Sequence, residues 1–131
     1  MKCLDTTFLI DFLRNEKDAV DKASQINDDA LVTTTINVFE VLFGIYKRKE
    51  KPEKELEAFK SLLSKLDILE FDISSSFQAS RIAADLVKQG KQINMMDTLI
   101  AGIILSKNCN NIVTRDKEDF GKIKELNVEG Y

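Results

Sequence analysis

Without a histidine among its 131 residues, this chain must do any chemistry with carboxylates, hydroxyls or lysines. That excludes Ser/His/Asp triads, His-ligated zinc, the two-His-one-carboxylate iron site and His general bases. Cys3 and Cys109 lack the close spacing of zinc or redox motifs and read as reduced packing residues. The acids are more informative. Asp5, Asp97 and Asp116 follow or flank expected strand ends, and Glu40 is the single acid in the apolar stretch INVFEVLFGIYK. Each has an ordinary explanation. Asp5 suits a helix N-cap ahead of Thr6 and Thr7, Asp97 would complement a helix dipole, and Asp116 fits a turn or cap. Glu40 shares a helical stripe with Ile36, Asn37 and Gly44, which could be a narrow strip facing solvent. Taken jointly they point elsewhere. Carboxylates gathered within about 4–6 Å raise one another's pKa unless a cation compensates. All-oxygen donors select a hard ion, Mg²⁺ or Mn²⁺. Because Mg²⁺ keeps waters and takes substrate phosphates as further ligands, such a cluster suits phosphodiester hydrolysis.

The elements that would position these acids alternate between short apolar runs and helical patterns, which predicts an α/β domain with a short, mostly parallel central sheet flanked by helices. Strands are expected over residues 2–4, 30–33, 68–71 and 111–114, with a last one near Val128. Phe8, Leu9, Phe12 and Leu13 share one helical face, and a second helix is expected over residues 17–26. Residues 36–47 are apolar nearly all the way round, which predicts burial on several sides. Pro52 fits the first turn of a helix running to Leu66, with Leu56, Phe59, Leu62, Leu63 and Leu66 on its apolar stripe. A further helix starts at cap candidates among residues 74–76 and stops at Gly90, with Phe77, Ala83, Leu86 and Val87 facing inward. The last long helix begins near Asp97. No repeat, low-complexity tract or linker divides the chain, so one domain over residues 1–131 is expected.

The sequence carries 44% hydrophobic residues and a net charge of -3, with a pI near 5.1. Its overall field does not attract nucleic acid, so an RNA partner would have to meet a local basic patch. The stretch 47–57 is the one strong composition shift; it reads as a solvated turn and helix face, although Lys47, Arg48, Lys49 and Lys51 could reach a phosphate backbone. No apolar run has membrane-spanning length, and Asp5 and Asp11 interrupt the stretch where a secretory signal would need an apolar core. A cytoplasmic protein with no membrane partner is expected.

The segments LDTTFLIDFLR, TTINVFEVLFG, INMMDTLIAG and IVTRDKEDF resemble, in order and spacing, the successive motifs of PIN-domain ribonucleases, specifically the VapC toxins of prokaryotic toxin–antitoxin pairs. The resemblance covers nearly the whole chain, including the intervening pattern that ends in LVKQGKQI. It implies a PIN-like fold with Asp5, Glu40, Asp97 and Asp116 as ligands of Mg²⁺ or Mn²⁺, and Thr6 and Thr114 as hydroxyl helpers. Asp119 matches the trailing acid of the family before Phe120, and it could equally cap a short helix. Arg115 would contact a phosphate or an antitoxin, or simply be solvated. The resemblance further implies a homodimer, a cognate VapB-type antitoxin whose tail blocks the site, and an RNA product with a 5′-phosphate. The expected reaction is in-line attack of an activated water on the scissile phosphate, expelling the ribose 3′-oxygen.

Three rival readings make different demands on the sequence. A phospho-acceptor receiver domain wants its Asp after a central strand near mid-chain, where this sequence reads KEKPEKELEAF. An aspartyl-nucleophile phosphatase wants a second Asp two residues after the first, and Thr7 stands there. An inert scaffold that binds RNA or an antitoxin stays open, and a metal titration separates it from an enzyme.

Overall fold

The computed structural model describes residues 1–48, 50–92 and 94–131. Five short strands form one sheet, β1 (Lys2–Leu4), β2 (Leu31–Thr34), β3 (Asp67–Leu69), β4 (Asn111–Val113) and β5 (Asn127–Glu129). Their order is β3-β2-β1-β4-β5, and all four pairings are parallel. The helices are α1 (Thr6–Leu13), α2 (Lys17–Ile26), α3 (Thr35–Arg48), α4 (Glu53–Leu63), α5 (Ile73–Lys88), α6 (Met95–Ser106) and the short α7 (Lys117–Gly121). Alternation along the strands explains the layers, because successive side chains point to opposite faces. Cys3 and Ile112 join α5 and α6 residues on one face. Leu4 and Val113 join Phe8, Leu9, Val41, Ile45 and Phe59 from α1, α3 and α4 on the other. No helix among the described residues is long and apolar enough to cross a membrane.

Several sequence expectations shift. β2 is shifted by one residue, beginning at Leu31 opposite Lys2 and ending at Thr34 opposite Leu69, and α3 follows it with no intervening loop. β3 lies at 67–69 rather than 68–71, since β2 ends there and cannot pair further. Pro52 is the N-cap of α4 rather than a first-turn residue. α5 is capped by Asp72, whose carboxylate accepts from the Ser75 backbone N–H at 2.9 Å, not by residues 74–76. Its buried stripe is Ser75, Ala79, Ile82 and Leu86, while Phe77 and Val87 are 75% and 63% exposed. Small residues win the inward face because α6 packs closely there: a Cβ added at Gly102 would lie 2.5 Å from the Ala79 Cβ. α5 ends as the sequence indicates. Gly90 adopts φ 71°, and Gly90 and Lys91 donate to the Val87 and Leu86 carbonyls, a Schellman closure that needs a left-handed residue.

α3 is the largest correction. Instead of burial on several sides, it exposes Phe39, Phe43 and Tyr46, each more than half accessible, and it buries Asn37, Val41 and Ile45. An apolar stripe wide enough to circle a helix can serve two contacts, one of them outside the chain. α6, by contrast, is buried nearly throughout, from Asp97 to Ile104. Of the basic residues 47–51, Lys47, Arg48 and Lys51 are exposed; Lys49 lies outside the described residues.

Candidate metal centre

In a parallel sheet of this order the chain leaves β1 toward β2 on one side, while β4 and β5 lie on the other. The crevice at the carboxyl ends of β1 and β4 is therefore a topological switch point, where open α/β sheets bind ligands. Asp5 follows β1, Thr114 follows β4, and Asp116 is two residues further on. Glu40 lies in the second turn of α3, and Asp97 in the first turn of α6.

The capping explanations now divide. Asp5 occupies the N-cap position of α1, but its side chain makes no capping bond. It turns inward, 3% exposed. There Asn37 Nδ2 donates to its Oδ1 at 3.1 Å, and the hydroxyls of Thr114 and Thr7 donate to its Oδ2 at 2.6 and 3.2 Å. At α6 the cap is Asn94, whose Oδ1 accepts from the Met96 N–H at 3.0 Å, so Asp97 is left free of that role. Asp116 does cap α7, accepting from the Asp119 N–H at 3.2 Å. Asp119 is thus the capped residue and not the cap. Glu40 is half-buried and accepts a 2.6 Å bond from the Thr6 hydroxyl.

Asp97, Asp116 and Asp119 can place one carboxylate oxygen each within 4.8 Å of one another. Asp5 and Glu40 stand close enough to act electrostatically on the same group. Burial, and then the charges of Asp5, Asp116, Asp119 and Glu40, push the Asp97 carboxyl up to about 8. Burial also raises Asp5, against the opposing hydrogen bond from Thr114, and raises Glu40 against the bond from Thr6. Among the described residues two buried side-chain oxygens lack a hydrogen bond, Asp97 Oδ2 and Glu129 Oε2. The latter is 3.2 Å from the Lys22 ammonium, which leaves the Asp97 oxygen as the uncompensated one. An orphaned carboxylate oxygen amid four other acids, with oxygen donors alone, fits a hard divalent cation. A cleft of about 240 Å³ opens beside Asp116, Asp119, Asn94 and Lys122.

The Thr114 hydroxyl bonds Asp5, and the Thr6 hydroxyl bonds Glu40. Arg115 is not brought to the acids. Its guanidinium pairs with Asp11 at 2.8 Å and lies over the Tyr131 ring at 5.3 Å. Sequence reasoning missed Asn37, Thr7, Thr34 and Lys122; the last pairs with Asp119 at 3.2 Å and donates to the Gln92 carbonyl. The one available signal was Asn37, a lone amide three residues before Glu40 on the same stripe.

Comparison with known proteins settles the family. The PIN domain model matches residues 2–126. The chain belongs to the PIN-domain family. Among its relatives, the tRNA(fMet)-specific endonuclease VapC of Shigella flexneri is 26% identical over 128 residues, covering 98% of this chain and 96% of that protein. Ribonuclease VapC3 of Methanocaldococcus jannaschii is 34% identical over 100 residues, 76% of this chain and 94% of the other. The PIN fold is shared with solved structures. VapBC2 from Rickettsia felis, bound to a promoter DNA fragment, superposes with a TM-score of 0.88 at 21% identity over 99% of this chain and 98% of that one. VapBC-1 from nontypeable Haemophilus influenzae gives 0.84 at 25% identity over 98% and 96%.

Proposed function

We propose that this PIN domain is a Mg²⁺- or Mn²⁺-dependent endoribonuclease, the toxin of a type II toxin–antitoxin pair acting in the cytoplasm. The observation that carries the proposal is the Asp97 carboxylate, driven up to about 8 with a buried oxygen unserved, at the switch point of a fold whose relatives bear ribonuclease names. Asp97, Asp116 and Asp119 would hold the cation, with Asp5 and Glu40 bordering them. When bound, the ion supplies Lewis-acid polarisation of the phosphate and a more acidic water. The chain's own groups do the rest. Thr114 and Thr7 fix the Asp5 carboxylate, and Thr6 fixes that of Glu40, so neither must reorganise when substrate arrives. Glu40, with its pKa raised, is suited to orient or accept a proton from the attacking water.

The partners follow from surfaces and from relatives. VapBC complexes among the structural neighbours support a VapB-type antitoxin. A cleft of about 370 Å³ lined by Ile10, Leu13, Val41 and Ile45, with Arg14, Arg48 and Glu55 beside them, offers such a chain an apolar seat with charged edges. The exposed Phe39, Phe43 and Tyr46 of α3 support a homodimer.

The test is Asp5→Asn, a near-isosteric change that removes the charge and keeps an acceptor for Thr114 while turning its new N–H group toward Asn37 Nδ2. Cleavage of RNA under Mg²⁺ or Mn²⁺ is expected to fall by about 10- to 100-fold with unchanged circular dichroism. Cleavage at the unmodified rate would sink the assignment.

A further inference from the structure

We infer that Asn37 is a positioning residue for the acidic centre, holding Asp5 directly and Glu40 through the Thr6 hydroxyl; this rests on reading the acids as a metal site. Asn37 is fully buried, and a buried amide has two donors and a carbonyl to satisfy. Half of its bonding is local. Its N–H donates to Thr34 Oγ1 at 3.2 Å, while its Oδ1 accepts from the Thr34 N–H at 3.3 Å and hydroxyl at 2.7 Å. Thr34 precedes α3 and Asn37 is the third residue in it, so this pair is a capping box with the shorter Asn where Glu or Gln is usual. A capping box uses only the carbonyl.

The other half of the amide leaves its own helix. Nδ2 donates to Asp5 Oδ1 at 3.1 Å and to Thr6 Oγ1 at 3.0 Å. The orientation is fixed by the partners. A backbone N–H can only donate and a carboxylate can only accept, so a flipped amide would set N–H against N–H and oxygen against oxygen. Because Thr6 Oγ1 accepts from Asn37, its own proton is directed to Glu40 Oε1, 2.6 Å away. One side chain thus ties together an acid that follows β1 and an acid in α3. Glu, the usual partner in a capping box, could not do so, having no donor to offer either group.

The experiment measures Mn²⁺ binding by calorimetry and RNA cleavage on folded protein, for Asn37→Ala, Thr6→Val, their double variant and Thr6→Ser. Removing groups that orient ligands weakens metal binding or activity by about 10- to 100-fold. Asn37→Ala is therefore expected to bind Mn²⁺ at least about tenfold more weakly and to lower kcat with little change in KM for RNA. Thr6→Val should weaken binding about fivefold or more, Thr6→Ser should stay within about twofold of the unmodified chain, and the double variant should be little worse than Asn37→Ala alone. A folded Asn37→Ala that binds Mn²⁺ as the unmodified chain does overturns the inference, as do effects that multiply independently in the double variant. If Asn37→Ala fails to fold, Thr6→Val decides: unchanged Mn²⁺ affinity overturns the relay, and weakening rescued by Thr6→Ser supports it. If the unmodified chain binds Mn²⁺ and leaves RNA intact, the ribonuclease proposal falls, while the positioning role is still read from binding.

Discussion

The acid cluster makes the metal-free protein lose stability as pH rises through neutrality. In the unfolded chain the Asp97 carboxyl returns to its ordinary value of 3.8, whereas in the fold it sits at about 8. Between those values the folded state holds a proton that the unfolded state has released, so stability falls with increasing pH and levels off above pH 8. The slope is at most about 1.4 kcal/mol per pH unit and halves by pH 8, so the change between pH 6 and 8 integrates to about 2.3 kcal/mol. Solvent at the open side of the cleft screens part of this, leaving on the order of 1–1.5 kcal/mol. For a domain of this size that lowers Tm by about 4–6 °C. Asp5 and Glu40, both raised, act with the same sign. The absence of histidine clears the window, and burial lifts both cysteines further above it. The assay is thermal unfolding in EDTA at pH 6, 7 and 8, repeated in saturating Mg²⁺ and with Asp97→Asn. Mg²⁺ should restore Tm at pH 8 more than at pH 6, and Asp97→Asn should flatten the EDTA profile. A flat profile in the unmodified chain, or a slope left undiminished by Asp97→Asn, would refute the electrostatic account.

Gly102→Ala should destabilise the fold by about 1–3 kcal/mol, because its Cβ would lie 2.5 Å from the Ala79 Cβ and 2.7 Å from the Ala79 backbone nitrogen. Urea unfolding measures this, and RNA cleavage well below the lowered Tm should persist. On the proposed homodimer, Phe43→Glu on the exposed face of α3 should shift sedimentation toward monomer while leaving Mn²⁺ binding within about twofold, since the Phe43 ring stacks on Phe39 and not on the acids.

The fold was legible where one period dominated. The β/α alternation and the Gly90 stop are both local patterns with local causes. α3 and α5 were misread because hydrophobicity alone does not say what covers a residue. Phe39, Phe43 and Phe77 are as apolar as any core side chain, yet they are exposed. On α5 the inward positions went to Ser75 and Ala79, which are small enough to let Gly102 approach. That preference is set by the neighbouring helix and is invisible in the α5 sequence.

The site shows the same limit more sharply. Asp5 and Asp97 are one residue type, each at the start of a helix in an apolar setting, and each could pass for a cap. Their difference lies in their neighbours. Asp5 has both oxygens served by residues 2, 32 and 109 positions away, and those bonds oppose the rise that burial imposes on it. Asp97 has one buried oxygen that no described residue serves, and four acids press on it. Periodicity and strand-end placement treat the two alike, because both signals are read within a few residues. Which carboxylate arrives satisfied and which retains an unmet demand for charge is decided by the topology that brings β1, β4, α3 and α6 to one crevice. The demand for a cation is therefore a property of the assembled switch point, although every acid that creates it can be named from the chain.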